Sequence, residues 1–412
     1  MWASKLKTFT PYLSFGVVAT GTSYLVFRTI RKVNVAHASA VHTPVKTFAE
    51  TRVVVVGGGY AGMNLAQKIK KNCQLTLIDA RDSFHHNMGA QRSASEPGYI
   101  KKCLIPFEPT FGDKFKRGKV VGINVQQQTV TLASGETIPY DDLVIATGTT
   151  GKFPSKLPVD TSASEAIARY EDMVAKVQKA QDIVLIGGGA VGVELSGDIK
   201  EDYKEKEVTL IHPREIIVND RVSESFQNTV KERLKTLGVK TMLGERVTNL
   251  PEIREKGYLN VTVKTDKGSE KKADLVIECT GLKVNSEAYK DSFGDKMDEL
   301  GRLKVDEYLG VEGVPNVYAI GDCTSTPEIK LARLAEAQST YMSKNLQAKH
   351  EGKEMTVYKM EEGKSFIISA GRSGGAVQMG NWVFGDWLSR TIKGNSVFTP
   401  MQWKAMGQEM PK

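Results

Sequence analysis

Short, wholly apolar β-branched runs alternate along this chain with longer stretches whose apolar residues return every three or four positions. Arg52-Val-Val-Val-Val56 is too short for a helix and has no polar alternation, which predicts a strand buried on both faces. A helix-like run follows through Lys71, and Leu75-Thr-Leu-Ile-Asp79 reads as a second strand. The same order returns about 130 residues later, as Asp182-Ile-Val-Leu-Ile186, a helix, and Glu207-Val-Thr-Leu-Ile-His212. A second repeated pair, Asp142–Ile145 and Asp274–Glu278, predicts buried strands that run into the turns Ala146-Thr147-Gly148 and Cys279-Thr280-Gly281. Further helices are predicted over Ser162–Ala180, over Val222–Leu237 with Gly238 as its stop, and over Ile329–Lys349. Hairpin strands are predicted at Val120–Val125, Thr129–Leu132 and Leu259–Thr265, the last turning at Asp266-Lys-Gly268.

Each of the two principal repeats carries G-x-G-x-x-G between its first strand and its helix: Gly57, Gly59 and Gly62, then Gly187, Gly189 and Gly192. The first glycine makes the tight turn, the second lets backbone approach a pyrophosphate, and the third lets the helix lie close to the strand. The helix N-terminus then offers free N–H groups to phosphate. In the first copy the second strand ends in Asp79, 22 residues after Gly57, where a carboxylate accepts hydrogen bonds from a ribose. The glycine pattern alone is weak; with strand, helix, strand and terminal acid in order it is specific. Two such modules imply two dinucleotides, a resident flavin and a visiting nicotinamide. The fold class is therefore α/β with two Rossmann-like dinucleotide-binding domains. The second module ends in His212-Pro213-Arg214 and not in an acid. That predicts acceptance of NADPH as well as NADH, because an acid repels a 2′-phosphate. Against it stands the reading that His212 merely ends the strand and Glu215 meets the ribose.

Composition changes this picture little. The chain has 412 residues and a formal net charge of +8. Residues 1–49 hold six Lys/Arg and no acid, so the remainder carries 8 − 6 = +2, and nothing in the body asks for nucleic acid. The four cysteines, Cys73, Cys103, Cys279 and Cys323, form no C-x-x-C and no metal spacing. Thr8–Phe27 is a run of 20 uncharged residues flanked by basic ones. It is long enough to span a bilayer as a helix, and a cleaved mitochondrial presequence or a secretory signal are the competing readings. The expected organisation is a membrane anchor or targeting segment with linker at 1–50, an FAD-binding domain at 51–160 with 278–350, an NAD(P)H-binding domain at 161–277, and a small α+β membrane-facing domain at 351–412.

Other residues carry weaker signals. His85 and His86 follow the first module and suit the lining of a flavin pocket better than a metal site, since adjacent histidines rarely converge on one ion. Arg92 is a candidate to neutralise phosphate or flavin charge, or an ordinary surface arginine. Val120 is placed to bring its backbone to the adenine. The turns at Thr147-Gly148 and Gly281 allow close passage of a cofactor, or serve packing alone. Asp322, after the strand of Pro315–Gly321, holds a polyol hydroxyl or caps the next helix. Three of the four tryptophans, Trp382, Trp387 and Trp403, lie near the C-terminus. There Trp382–Lys393 reads as a helix resting on lipid or packed on the core.

With these pieces assembled, the chain resembles the pyridine-nucleotide:flavin oxidoreductases with two dinucleotide domains. Within them it is similar to the apoptosis-inducing-factor-like ferroptosis suppressor proteins, relatives of the type II NADH dehydrogenases. The resemblance is carried by Asp82-Ser-Phe-His-His-Asn87, Glu171-Asp-Met173, Glu205–His212, Thr265-Asp-Lys-Gly268 and Asn316–Cys323, and extends from residue 52 to about 405. It implies FAD, or a modified FAD, held by Gly57, Gly58, Gly59, Tyr60, Ala61, Asp79, Arg92, Val120 and Asp322, with NAD(P)H on Gly187–Gly192. It also implies two-electron reduction of membrane quinones such as ubiquinone, and of vitamin K, in a protective antioxidant role. Members of the family begin Met-Gly and are myristoylated; here residue 2 is Trp2, so residues 8–27 would take over the tether. A cytosol-facing place on the mitochondrial outer membrane is expected, with lipid droplet or plasma membrane as alternatives; monomer and homodimer stay open.

On this reading Glu194, just past Gly192, lies near the nicotinamide and flavin edge, placed to anchor the carboxamide or relay a proton; the bland alternative is a first-turn helix acid. Lys393 and Phe398 are candidates for a quinone channel. Without C-x-x-C, no thiol pair relays electrons. The competing functions are a membrane-tethered NAD(P)H-binding redox sensor or apoptosis factor with low turnover, and a ferredoxin or rubredoxin reductase.

Overall fold

The computed structural model describes residues 46–361 and 363–411; the expected anchor at 8–27 lies outside them. Among the described residues no helix is long and apolar enough to cross a membrane.

The first module forms as β1 (Arg52–Val56), α1 (Tyr60–Ile69) and β2 (Gln74–Asp79), followed by β3 (Phe115–Arg117) and β4 (Asp142–Ile145). The chain then leaves to build the second module: β5 (Asp182–Ile186), α2 (Ala190–Asp202), β6 (Glu207–His212), β7 (Lys240–Leu243), and the antiparallel pair β8 (Leu259–Lys264) and β9 (Glu270–Glu278). It returns to the first sheet with β10 (Val317–Ala319), and α3 (Ala332–His350) follows. The first sheet has the order β10-β4-β1-β2-β3, all parallel. The second has the order β7-β6-β5-β9-β8, parallel except for β8.

The valine run behaves as a doubly covered strand must. Val53 and Val55 point into a core with Met63, Leu65 and Leu77, while Val54 and Val56 point into another with Ile78, Ile145 and Val317. In β5, Ile183 and Leu185 face one core and Val184 and Ile186 another. Each such side chain contributes about 1.5–3 kcal/mol by burial, which fixes both sheets at the strands that carry the glycine turns. The turns after β4 and β9 are joined by a short antiparallel ribbon, Thr149–Thr150 on Lys283–Val284.

The C-terminal region departs from expectation. Trp382–Lys393 is not one helix. After the strands β11 (Ser365–Ser369) and β12 (Gly375–Met379), Trp382–Phe384 forms β13 of the same antiparallel sheet. A single helical turn at Asp386–Ser389 then widens into a π-helical turn over Arg390–Gly394. Cross-strand pairing with β12, invisible to helical periodicity, wins over the local pattern. Trp403 is buried and donates its indole N–H to the Lys102 carbonyl at 2.7 Å, so it belongs to the core and not to a lipid-facing surface.

Candidate active site between the two glycine turns

Gly57 and Gly187 adopt φ of +104° and +114°, a conformation that side chains with a Cβ rarely take. A Cβ on Gly62 would stand 1.8 Å from the Gly57 carbonyl oxygen, and one on Gly192 would stand 1.9 Å from that of Gly187. Strand and helix therefore touch where the third glycine lies, in both modules. At Gly59 the same construction meets no protein atom within 4 Å. The first turn of α1 is thus open where a pyrophosphate would approach. Asp79 accepts from the Gly58 N–H at 2.6 Å and the Arg81 N–H at 2.8 Å, which fixes its carboxylate beside the loop.

One cavity of about 630 Å³ runs along both modules, a size that suits a cofactor site. Gly57, Gly59, Tyr60, Ala61 and Asp79 line one end, with Val120 beside them. Thr147, Gly148 and Asp322 line the middle, with Lys156 and Lys330. The Thr147 hydroxyl is buried without a protein partner, and Asp322 accepts from the Thr149 hydroxyl at 2.9 Å. Asp322 does not cap α3, whose N-cap is Leu331. An open loop at a helix N-terminus, a ribose-side acid, an unpartnered hydroxyl and a second acid at a strand end fit FAD. Gly58, Gly62, Gly187, Gly189, Gly192 and Gly281 shape the turns without lining the cavity. His212 also stands off it, its ring packed against Gly188, while the Glu215 carboxylate turns towards Gly244.

The far wall brings together three residues from distant parts of the chain. Glu194, on the second turn of α2 and so not a first-turn acid, and Lys393, on the π-helical turn, are only 4% and 5% exposed and form a direct ion pair on the cavity wall. The Ser369 N–H also points to Glu194, at 3.4 Å. Phe398 lines the same wall. Val397 and Phe398 both take left-handed backbone, φ +43° and +63°, a strain of about 1–3 kcal/mol each that surrounding contacts must hold. The Val397 N–H donates to the Lys393 carbonyl at 2.7 Å. The Val397 carbonyl lies 2.7 Å from His86 Nε2. A carbonyl only accepts, so His86 carries its proton on Nε2, and its Nδ1 accepts from the Tyr60 hydroxyl at 2.9 Å. Burial pushes the His86 pKa down to about 4, against the backbone hydrogen bond to Val397. The two histidines therefore do not line the pocket as expected: His86 braces Tyr60 to the C-terminal strap, and His85 is buried beside Tyr170.

Arg92 departs from both its expectations. It is fully buried, donates to the Gly394 carbonyl at 2.8 Å and stands 3.5 Å from Asp198, behind the cavity wall and not on it. Its hydrophilic neighbours in sequence, Gln91 and Ser93, concealed this. The His86 brace was also missed; its only signal was a histidine following a buried strand. All four cysteines are free. Burial pushes the Cys73, Cys103 and Cys279 thiols up to about 12, which leaves no reactive thiolate at neutral pH.

The pyridine nucleotide-disulphide oxidoreductase family model matches residues 110–339. Ferroptosis suppressor protein 1 of Xenopus tropicalis is 40% identical over 364 residues, covering 88% of this chain and 97% of the relative. Two solved structures share the fold. The sulfide:quinone oxidoreductase of Aquifex aeolicus superposes with a TM-score of 0.69 at 18% identity, over 87% of this chain and 92% of that one. NDH2 of Plasmodium falciparum, in complex with NADH, gives 0.67 at 15% identity, over 88% and 100%. With its paired glycine turns, this family match and this relative, the chain belongs to the pyridine nucleotide-disulphide oxidoreductase family, as a flavin- and NAD(P)H-dependent oxidoreductase similar to the ferroptosis suppressor proteins.

Proposed function

We propose that this protein is an NAD(P)H:quinone oxidoreductase that reduces membrane quinones, ubiquinone and vitamin K among them, and so suppresses ferroptosis. The observation that carries the reading is the buried Glu194–Lys393 pair on the wall of the cavity lined by the first glycine turn and by the start of α2. Bound along Gly57–Ala61, Asp79, Val120 and Asp322, FAD supplies two-electron redox chemistry between a nicotinamide and a quinone. The chain's own residues do the rest. The α2 N-terminus receives the nicotinamide dinucleotide's phosphates, with His212 leaving room for a 2′-phosphate. Glu194 accepts hydrogen bonds from Lys393 Nζ and so keeps an ammonium at the wall, where it is placed to steady a developing quinone oxyanion. Phe398 offers an apolar face to the quinone ring.

Exposed aromatic and apolar residues beyond that wall support a membrane face: Trp382 and Trp387 are 75% and 77% exposed, with Phe384, Ile392 and Met401 near them in sequence. The tether belongs to residues 8–27, and the membrane to the mitochondrial outer surface, lipid droplet or plasma membrane. The domain division stays at 51–160 with 278–350, 161–277 and 351–412. Steady-state turnover of Glu194→Gln tests the reading. The expected result is a fall of about 100-fold or more in quinone reduction with FAD content unchanged; undiminished turnover overturns it. The exposed aromatic face at Trp382 and Trp387 favours a lipid-soluble acceptor over a ferredoxin or rubredoxin.

A further inference from the structure

Reduction of a quinone to a hydroquinone takes two electrons and two protons. NAD(P)H gives up both electrons and one hydrogen as hydride, becoming NAD(P)⁺, so the second proton comes from solvent. Glu194 and Lys393 are buried, so that proton needs a route.

The helix that carries Glu194 also carries Asp198 and Asp202, four and eight residues on. Residues at this spacing lie on one helical face, with Cβ atoms about 5–6 Å apart. The row runs outward. Glu194 is on the cavity wall. Asp198 is 2% exposed, and its Oδ1 makes no hydrogen bond within the protein. Asp202 is partly open, where the Ser95 hydroxyl donates to it at 2.9 Å and Arg372 pairs with it. Cations from other elements alternate with the acids. Lys393, on the π-helical turn, meets Glu194. Arg92, on the short helical turn Arg92–Ala94, stands 3.5 Å from Asp198, and its Nε and Nη1 are likewise buried and unpartnered. Arg372, after β11, holds Asp202 and also Glu96 at 2.8 Å.

Packing alone explains this poorly. A buried acid facing an arginine at 3.5 Å, with donors and an acceptor left over on both, is a costly way to fill a core. It is a good way to keep an exchangeable proton. Burial is also the largest influence on the Asp198 carboxyl, ahead of Arg92, and pushes it up to about 6. It therefore passes between acid and carboxylate near working pH, as a relay group must.

We infer that Asp202, Asp198 and Glu194 form a proton path along one face of this helix, from the surface to the quinone site, with Asp198 as its gate. The inference rests on the quinone-reductase reading. Asp198 is a positioning and relay residue, not one that touches substrate.

The test compares the FAD-loaded full chain with Asp198→Asn and Asp202→Asn, in three measurements. Infrared titration of the protein without substrates reads the carboxyl directly: a protonated-acid band that titrates near pH 6 is expected, and is lost in Asp198→Asn. Quinone-dependent reoxidation is then followed against pH. In the wild type it should fall as pH rises above about 6; in Asp198→Asn it should be about tenfold slower at pH 6 and flat with pH. Absence of the infrared band from the wild type overturns the inference. So does a variant with unchanged rate and profile, or a folded variant that loses bleaching by NAD(P)H as well as reoxidation, since the aspartate would then serve structure. Should Asp198→Asn fail to fold, the wild-type band and the slowing in Asp202→Asn decide the matter. A wild type that is bleached by NAD(P)H yet passes nothing to quinone overturns the proposed function itself; the relay alone fails when the wild type reduces quinone and the variants match it.

Discussion

At the scale of single residues, burial gives several groups unusual duties. His86 is the clearest. Its pKa is depressed to about 4, below an unfolded value of about 6.5. Unfolded chains therefore take up its proton first. The stability it contributes is present above pH 6.5 and is lost as pH falls through 4, about 3 kcal/mol in all. His85 is depressed by burial in the same direction. Thermal unfolding between pH 7 and pH 4 should show a steep acid loss, and His86→Gln should make it shallower, since the amide can still donate to Val397 and accept from Tyr60. An unchanged acid limb would count against the brace. The nucleotide preference proposed for His212 has its own test: His212→Glu should lower NADPH use relative to NADH about tenfold, or ~1.4 kcal/mol. Equal ratios in variant and parent would remove the argument from the strand's missing acid.

At the scale of elements, the two glycine turns make opposite predictions at neighbouring positions. Gly62→Ala and Gly192→Ala place a Cβ within 2 Å of a carbonyl oxygen, and should cost about 1–3 kcal/mol through forced separation of helix and strand. Gly59→Ala meets no protein atom, so the variant should fold with parental stability and yet lose FAD on gel filtration. Full FAD retention in Gly59→Ala would mean that the loop is not the pyrophosphate cradle. These elements were legible because each rests on local chemistry: β-branched runs, glycine spacing and a terminal acid. The C-terminal sheet was not, because β13 exists through pairing with β12, and Trp382–Lys393 has an apolar spacing that a helix would also show. The π-helical turn that delivers Lys393 has no signature in composition at all.

At the scale of the whole molecule, sequence reading named Glu194, Lys393 and Phe398 but could not join them, since contacts across about 200 residues leave no trace in spacing. Position along the second module's helix and in the C-terminal segment supplied the candidates, and the fold brings them to one cavity. What remained hidden, Arg92 and Asp198 behind its wall, is hidden for the same reason. The exposed aromatics make their prediction here. Trp382→Ala with Trp387→Ala, in the body from residue 46 onward, should weaken flotation with phosphatidylcholine vesicles about tenfold or more, while equal flotation would leave the patch without a lipid role. The central claim is electron transfer from NAD(P)H to a lipid quinone with no thiol in between. Its most direct measurement is NAD(P)H oxidation by FAD-loaded protein with and without a short-chain ubiquinone. Stoichiometric hydroquinone formation, retained when all four cysteines are replaced by alanine, is the predicted result; bleached protein that hands nothing to the quinone would contradict it.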